Sequence, residues 1–259
     1  MSPLLAVEDL NFSYVRAGRR TEAVKGVSLT LDKGEVLGIV GESGCGKSSL
    51  ARCLVGLARP DSGRIDLGGV GLGPRRSRDQ HRTMQMVFQD PRSALNPRMS
   101  VFDLVNEGWS THPSIAPADR RRAAAELIGK VGLEPMFLER RPSELSGGQA
   151  QRVGIARALA VAPELLICDE AVSALDVSVQ TQVLQLLAQI RRELDLAMIF
   201  ISHDLGVVRQ ISDRVAVMHA GVIVETGPSE AIFEAPQHAY TRELVSAALD
   251  LATELGPAR

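Results

Sequence analysis

Val36-Leu37-Gly38-Ile39-Val40-Gly41-Glu42-Ser43-Gly44-Cys45-Gly46-Lys47-Ser48-Ser49-Leu50 is the segment on which the architecture of this chain turns. Gly41 to Ser48 fit the phosphate-loop pattern G-x-x-x-x-G-K-[ST] at every fixed position. That pattern requires a strand before it and a helix after it. Residues 36–40 read as a short buried strand and residues 48–56 as a helix. Backbone N–H groups of a loop carrying Gly41, Gly44 and Gly46 can wrap a phosphate because no Cβ obstructs the approach, and the helix N-terminus adds partial positive charge. Lys47 is placed to reach the outer phosphates and the Ser48 hydroxyl to ligate Mg²⁺, while Glu42, Ser43, Cys45 and Ser49 complete the binding segment.

Further short, almost wholly apolar runs lie at 84–88, 165–168, 197–201 and 215–218. Strands buried on both faces read this way, which predicts an α/β fold with a mixed, mostly parallel sheet. Val183, Leu187, Ile190 and Leu194 recur at helical spacing and predict a crossover helix. Asp169 and Glu170 close the 165–168 run, at the strand edge where parallel sheets bind ligands. Asp169 suits Mg²⁺ and Glu170 suits polarisation of an attacking water.

Residues 4–14 and 27–31 alternate like strands around a charged 16–22 turn, predicting an N-terminal antiparallel β subdomain. From 91 to 162 helical patterns dominate, including 118–131 and a helix opening at Gly147. Residues 222–225 resemble a last strand, Pro228 suits the first turn of a helix, and a tail helix follows His238-Ala239-Tyr240. The expected organisation is one domain over 1–259. Residues 1–90 and 163–227 form the β subdomain and core, 91–162 a helical subdomain, and 228–259 a C-terminal tail.

With 259 residues the chain can bury one sizeable core, and a formal net charge of −2 argues against nucleic acid as a partner. No apolar run is long enough to cross a bilayer, and no signal segment is evident at the N-terminus. Cys45, Cys53 and Cys168 lack metal-ligand spacing and suit a reducing compartment.

Between the phosphate loop and the Asp169-Glu170 pair stands Leu145-Ser146-Gly147-Gly148-Gln149, and His203 follows the 197–201 run. This order resembles the ATP-binding-cassette ATPases over nearly the whole chain. The resemblance implies ATP and Mg²⁺ as cofactors and gives each motif a role. Tyr14 looks like the aromatic that stacks on adenine. Gln89 resembles the hinge glutamine that touches Mg²⁺ and water, Asp176 a residue of the loop that crosses a cassette dimer, and His203 the switch histidine at the γ-phosphate. Ser146, Gly147, Gly148 and Gln149 open a helix whose donors face the ATP held by a partner cassette. The catalytic set is thus Glu170, His203, Gln89 and Lys47, with Ser48, Gln89 and Asp169 toward the metal. Ala171 and Ala150 depart from the family's usual proline and arginine.

The segment Val87-Phe88-Gln89-Asp90-Pro91-Arg92-Ser93-Ala94-Leu95-Asn96-Pro97-Arg98 and the tail Pro236-Gln237-His238-Ala239-Tyr240 resemble the peptide and nickel importer group. That implies an ATP-hydrolysing subunit peripheral to the cytoplasmic face of the inner membrane. Its partners would be a second ABC ATPase subunit (identical or a paralogue), two transmembrane permeases and, indirectly, an extracytoplasmic solute-binding protein. No iron–sulfur cluster is expected, since the tail has no cysteine. The competing reading is a soluble cassette ATPase acting on nucleic acid or another macromolecular assembly, which usually carries two cassettes or long insertions. A non-hydrolysing regulatory cassette would have lost Glu170 or His203.

Overall fold

The computed structural model describes residues 2–16, 18–73 and 75–254; the last five residues of the expected tail, 255–259, lie outside the described residues. In chain order the strands are β1 (Leu5–Arg16), β2 (Arg19–Leu31), β3 (Val36–Val40), β4 (Ser62–Leu67), β5 (Val70–Gly71), β6 (Met84–Val87), β7 (Leu165–Asp169), β8 (Ala197–Ile201), β9 (Arg214–His219) and β10 (Val222–Pro228). The helices are α1 (Lys47–Val55), α2 (Arg78–Thr83), α3 (Pro91–Ala94), α4 (Val101–Thr111), α5 (Arg120–Lys130), α6 (Gly147–Leu159), α7 (Val177–Leu194), α8 (Leu205–Ile211), α9 (Ser229–Glu234) and α10 (Ala239–Glu254). They gather into two compact units. One holds β1 to β5, α1 and everything from β8 onward, and the other holds α2 to α7 with β6 and β7.

In the first unit β1, β2, β4 and β5 form an antiparallel sheet in the order β2-β1-β4-β5. Strand β3 lies between β8 and β9, parallel to both, and β10 pairs antiparallel with β9. Every residue of β3 and β8 is buried, as expected of strands covered on both faces. In the second unit β6 and β7 pair in parallel, β7 is likewise buried throughout, and α6 packs against β6 and the helices α3, α4, α5 and α7.

Several sequence expectations shift. The charged 16–22 segment is mostly strand: Val15 pairs with Arg20 and Arg16 with Arg19, leaving a tight hairpin end. Its residues read as a turn because both faces of that end meet solvent. Strands β4 and β5 escape notice because only Ile65 and Leu67 of them are buried. Helix α7 starts at Val177, ahead of the apolar period at 183, since its first turn is exposed. Pro228 ends β10 instead of entering the next helix, which begins at Ser229. An outer strand tolerates the missing N–H donor.

Gly38 sets the distance between β3 and α8. A Cβ on Gly38 would stand 2.4 Å from Val208 Cγ1 and 2.5 Å from Ser212 Oγ, so the helix rests on strand backbone. Helix α8 directly follows the loop carrying His203, so this contact bears on the site. Gly38→Ala is expected to destabilise the protein by about 1–3 kcal/mol, the usual effect of overpacking, read as a lower urea midpoint with an unchanged m-value.

Candidate functional site: phosphate loop, strand-edge carboxylates and signature helix

In the first unit the parallel register decides what converges. Ile39 pairs with Ile201 and Val40 with Val217, so the segments after β3, β8 and β9 leave the sheet at one edge. That edge carries residues 41–46, His203 and His219. Ligands of parallel sheets bind at such edges.

Glu42, Ser43 and Gly44 are exposed at the top of the loop, whereas Cys45, Gly46 and Lys47 are buried. Lys47 is only 4 % exposed. Its Nζ donates to Gly41 O at 2.6 Å and Glu42 O at 2.8 Å, and lies 3.8 Å from Cys45 Sγ. The loop therefore solvates its own cation and curls around it. Helix α1 opens with no side-chain cap on its N-terminus, so its first backbone donors are not used by a capping side chain. Beneath the loop, Gly221 N donates to Cys45 O at 2.9 Å and Lys25 N to Gly221 O at 2.8 Å.

The loop glycines have separate tasks. A Cβ on Gly41 would fall 2.0 Å from Met218 O, and one on Gly46 2.1 Å from Ala23 O. These two are required by the protein floor below the loop, in addition to any need to admit phosphate from above. A Cβ on Gly44 would meet nothing within 4 Å, but its φ of +81° favours glycine.

Tyr14, on β1, has its hydroxyl 3.1 Å from Ser49 Oγ and its ring edge-on to Phe12 at 4.8 Å. The residue is 42 % exposed and its ring is held by the hydroxyl contact and by Phe12, which suits a stacking platform. His203 is exposed immediately after β8. Ser202 and Asp204 fix its loop: Asp204 N donates to Ser202 Oγ at 3.0 Å, and Asp204 Oδ1 caps α8 by accepting Val207 N at 3.2 Å.

In the second unit Val87 pairs with Cys168, so Gln89 and the Asp169-Glu170 pair leave β6 and β7 at the same edge. Gln89 Nε2 donates to Glu170 Oε2 at 3.0 Å. Asp169, the last residue of β7, is 6 % exposed, and Glu170 has φ +50°. For a non-glycine residue that conformation costs roughly 1–2 kcal/mol, and such strain collects at functional positions. Ala171 lacks the restriction that a following proline would place on Glu170. Ser173 Oγ donates to Glu170 O at 3.0 Å and steadies the turn that leads to the exposed Asp176.

Ser146 is the N-cap of α6. Its Oγ accepts Gln149 N at 3.3 Å while Gln149 Oε1 accepts Ser146 N at 2.9 Å. In this reciprocal cap the hydroxyl is used as an acceptor, and its proton is still available to a phosphate. Ala150 is fully buried and its N–H donates to Ser146 O at 2.9 Å, so the helix runs on unbroken where the family often has arginine. Two guanidinium groups tie α3 to this helix. Arg92 Nη2 donates to Leu145 O at 3.0 Å, and the α6 residue Arg157 donates through Nη1 to Ala94 O at 2.6 Å. Burial lowers the pKa of Arg157, against the pull of Glu107. The spacing of Gln89 and Ser146 in the sequence gives no sign of these ties, because both acceptors are backbone carbonyls.

The paired glycines of the signature segment, Leu145-Ser146-Gly147-Gly148-Gln149, are not equivalent. A Cβ on Gly147 would make ordinary contact with Leu175 Cδ2 at 3.6 Å, whereas one on Gly148 would stand 2.4 Å from Val179 Cγ1 of α7. Among the described residues no group of three or more His, Cys, Asp or Glu could hold a metal ion. The residues expected near Mg²⁺ bring one hydroxyl, one amide oxygen and one carboxylate. That all-oxygen set fits an ion coordinated largely by water and substrate phosphate.

The family model described as ABC transporter matches residues 24–173, more than half of the chain. The chain belongs to the ABC transporter family. As an ABC ATPase it binds ATP. It is similar to the probable peptide ABC transporter ATP-binding protein y4tS of Sinorhizobium fredii, at 50% identity over 95% of this chain and 72% of the relative. It is also similar to the oligopeptide transport ATP-binding protein OppF of Escherichia coli, at 49% identity over 94% of this chain and 77% of the relative. Among solved structures, cbiO1 from Clostridium perfringens, part of the ABC transporter complex cbiONQ, has a TM-score of 0.80 at 29% identity, covering 98% of this chain and 97% of that chain. A dimeric post-hydrolysis cassette, MJ0796 bound to ADP and Pi, has a TM-score of 0.77 at 27% identity over 87% of this chain and 98% of that chain. No helix among the described residues is long and apolar enough to cross a membrane.

Burial, with the Asp169 charge beside it, pushes the Cys168 thiol up to about 12. A thiolate is needed for alkylation. Iodoacetamide at pH 8 is expected to leave Cys168 unlabelled in the native cassette and to label it in denaturant, as read by mass spectrometry of a digest. For the signature, Gly148→Ala is expected to destabilise by about 1–3 kcal/mol because stiff Val179 cannot yield easily, with Gly147→Ala much closer to wild type in thermal unfolding.

Proposed function

We propose that this ABC cassette is the ATP-hydrolysing subunit of an importer of short peptides, docked on two permeases at the cytoplasmic face of the membrane and fed indirectly by an extracytoplasmic binding protein. The names of relatives at 49–50% identity, both ATP-binding proteins of peptide transport, support this reading over a cassette acting on nucleic acid. A related solute such as nickel is the alternative cargo, since none of the site residues is assigned to the transported molecule. In domain terms the reading takes 1–90 with 163–227 as the nucleotide-handling core, 91–162 as the helical subdomain and 228–259 as the tail.

Each residue then has a task. Lys47 exchanges its loop carbonyls for outer phosphate oxygens, and the loop from Gly41 to Ser49 surrounds them. Tyr14 stacks on adenine. Ser48, Gln89 and Asp169 hold Mg²⁺, which neutralises phosphate charge when bound. Glu170 accepts a proton from the attacking water, oriented by Gln89, and His203 contacts the γ-phosphate. Ser146, Gly147, Gly148 and Gln149 serve the nucleotide of a second cassette, identical or paralogous, with Asp176 at the dimer interface. Loss of the γ-phosphate contact then releases the closed pair.

The observation that carries the hydrolytic assignment is the hydrogen bond from Gln89 to Glu170 at the end of a buried strand. It fixes the carboxylate before any substrate arrives. Glu170→Gln keeps the size and loses the proton acceptor. In the assembled transporter it is expected to lower kcat by 10²- to 10⁴-fold while ATP still binds. Native turnover in Glu170→Gln would remove Glu170 from its role, and uptake of labelled dipeptides and oligopeptides with and without the chain tests the cargo.

A further inference from the structure

The C-terminal segment reaches the phosphate loop. Tyr240, in the first turn of α10, accepts a hydrogen bond on its hydroxyl from Glu42 N at 3.1 Å. Its ring lies against the His219 imidazole, centroids 4.0 Å apart and planes at 39°. His219 ends β9, two residues before Gly221, whose N–H supports Cys45 O from below. Tyr240 thus touches both the loop and its floor.

The contact with Glu42 completes a pair. Gly41 C=O and Glu42 N–H are the two edges of one peptide unit, and in a trans peptide they point in opposite directions. Lys47 Nζ holds the C=O edge at 2.6 Å and the Tyr240 hydroxyl holds the N–H edge. At Gly41, with φ +147°, no side chain restrains rotation of that unit.

The tail delivers the hydroxyl rigidly. Glu225 of β10 accepts Gln237 N at 2.8 Å and His238 N at 3.0 Å. Arg242 Nη1 donates to Pro236 O at 3.3 Å and Gln237 O at 2.9 Å, and Tyr240 N donates to His238 Nδ1 at 3.2 Å. Burial raises the Tyr240 phenol above its ordinary pKa, outweighing the Glu42 N–H bond, so the acceptor stays neutral.

We propose that Tyr240 is a positioning residue for nucleotide binding, which holds the Gly41–Glu42 peptide in its phosphate-ready orientation when Lys47 turns from the loop carbonyls to ATP. The proposal rests on the ATP reading of the loop. It gives the C-terminal segment a part in the active site: the tail presets the loop, and a cassette cut before α10 has a looser one.

The test uses the full chain with Mg²⁺ and ATP as the probe. Tyr240→Phe keeps the ring against His219 and removes the acceptor. Its ATP dissociation constant, and KM in the assembled transporter, are expected to rise about fivefold, the effect of one neutral hydrogen bond, with kcat at saturating ATP within about twofold of wild type and little change in melting temperature. Arg209→Ala removes the exposed ion pair with Glu234 of α9, which takes no part in holding Tyr240, and is expected to keep wild-type ATP affinity. If it weakens ATP as much as Tyr240→Phe, the effect is general loosening and the proposal is overturned. Unchanged affinity in Tyr240→Phe overturns it as well. Hydrogen exchange needs no variant: a protected Glu42 amide in the nucleotide-free wild type is expected, and one that exchanges like a solvent-facing amide overturns the proposal. Lys47→Ala separates the two levels, because ATP binding that survives it unchanged removes the ATP reading itself.

Discussion

The ammonium of a lysine that is only 4 % exposed must be solvated by something other than bulk water. In this cassette Gly41 O and Glu42 O do so, and meeting that requirement bends the loop back over Lys47. The curl in turn presses Gly41 and Gly46 onto Met218 O and Ala23 O, so β9 and β2 have to bring backbone to those places. The position of β9 is fixed by its parallel register with β3. One buried charge thus constrains the loop, its glycines and the strand order beneath it.

The second unit solves a related problem with neutral and negative groups. Glu170 lies at the end of a strand buried at every position, in a strained backbone conformation, with Gln89 donating to its carboxylate. Ser173 then secures the Glu170 carbonyl. The carboxylate is set by hydrogen bonds from its own unit, which is what electrostatic preorganisation requires.

Much of this was legible in the sequence because the strands of the core are short, apolar and bounded by polar or glycine residues. Residues 36–40 and 197–201 coincide with β3 and β8 for that reason. The same rule fails where burial is partial, as in β4, or where an exposed hairpin carries charge, as at Arg19 and Arg20. The order of the nucleotide motifs was equally plain. What the motifs concealed was their division of labour. Nothing in the pair Gly147-Gly148 says that only the second faces Val179, and nothing in Gly41 says that a carbonyl lies beneath it. Those are long-range contacts with backbone or with a distant side chain, and local pattern carries no record of them. The tail tyrosine is a further case: the sequence placed it in a family-like segment, and only the fold brings it to Glu42.

The two arginine ties between α3 and α6 have a mechanical consequence. Both end on main-chain oxygen atoms, at Leu145 and Ala94, so the splint does not depend on rotamers at its far ends. Asp90 Oδ1 accepts Arg92 N at 3.0 Å, which welds the residue beside Gln89 to the splinted stretch. The stretch beside Gln89 and the one that leads into Ser146 are therefore joined through main-chain atoms, which leaves the join indifferent to side-chain substitution at Leu145 and Ala94.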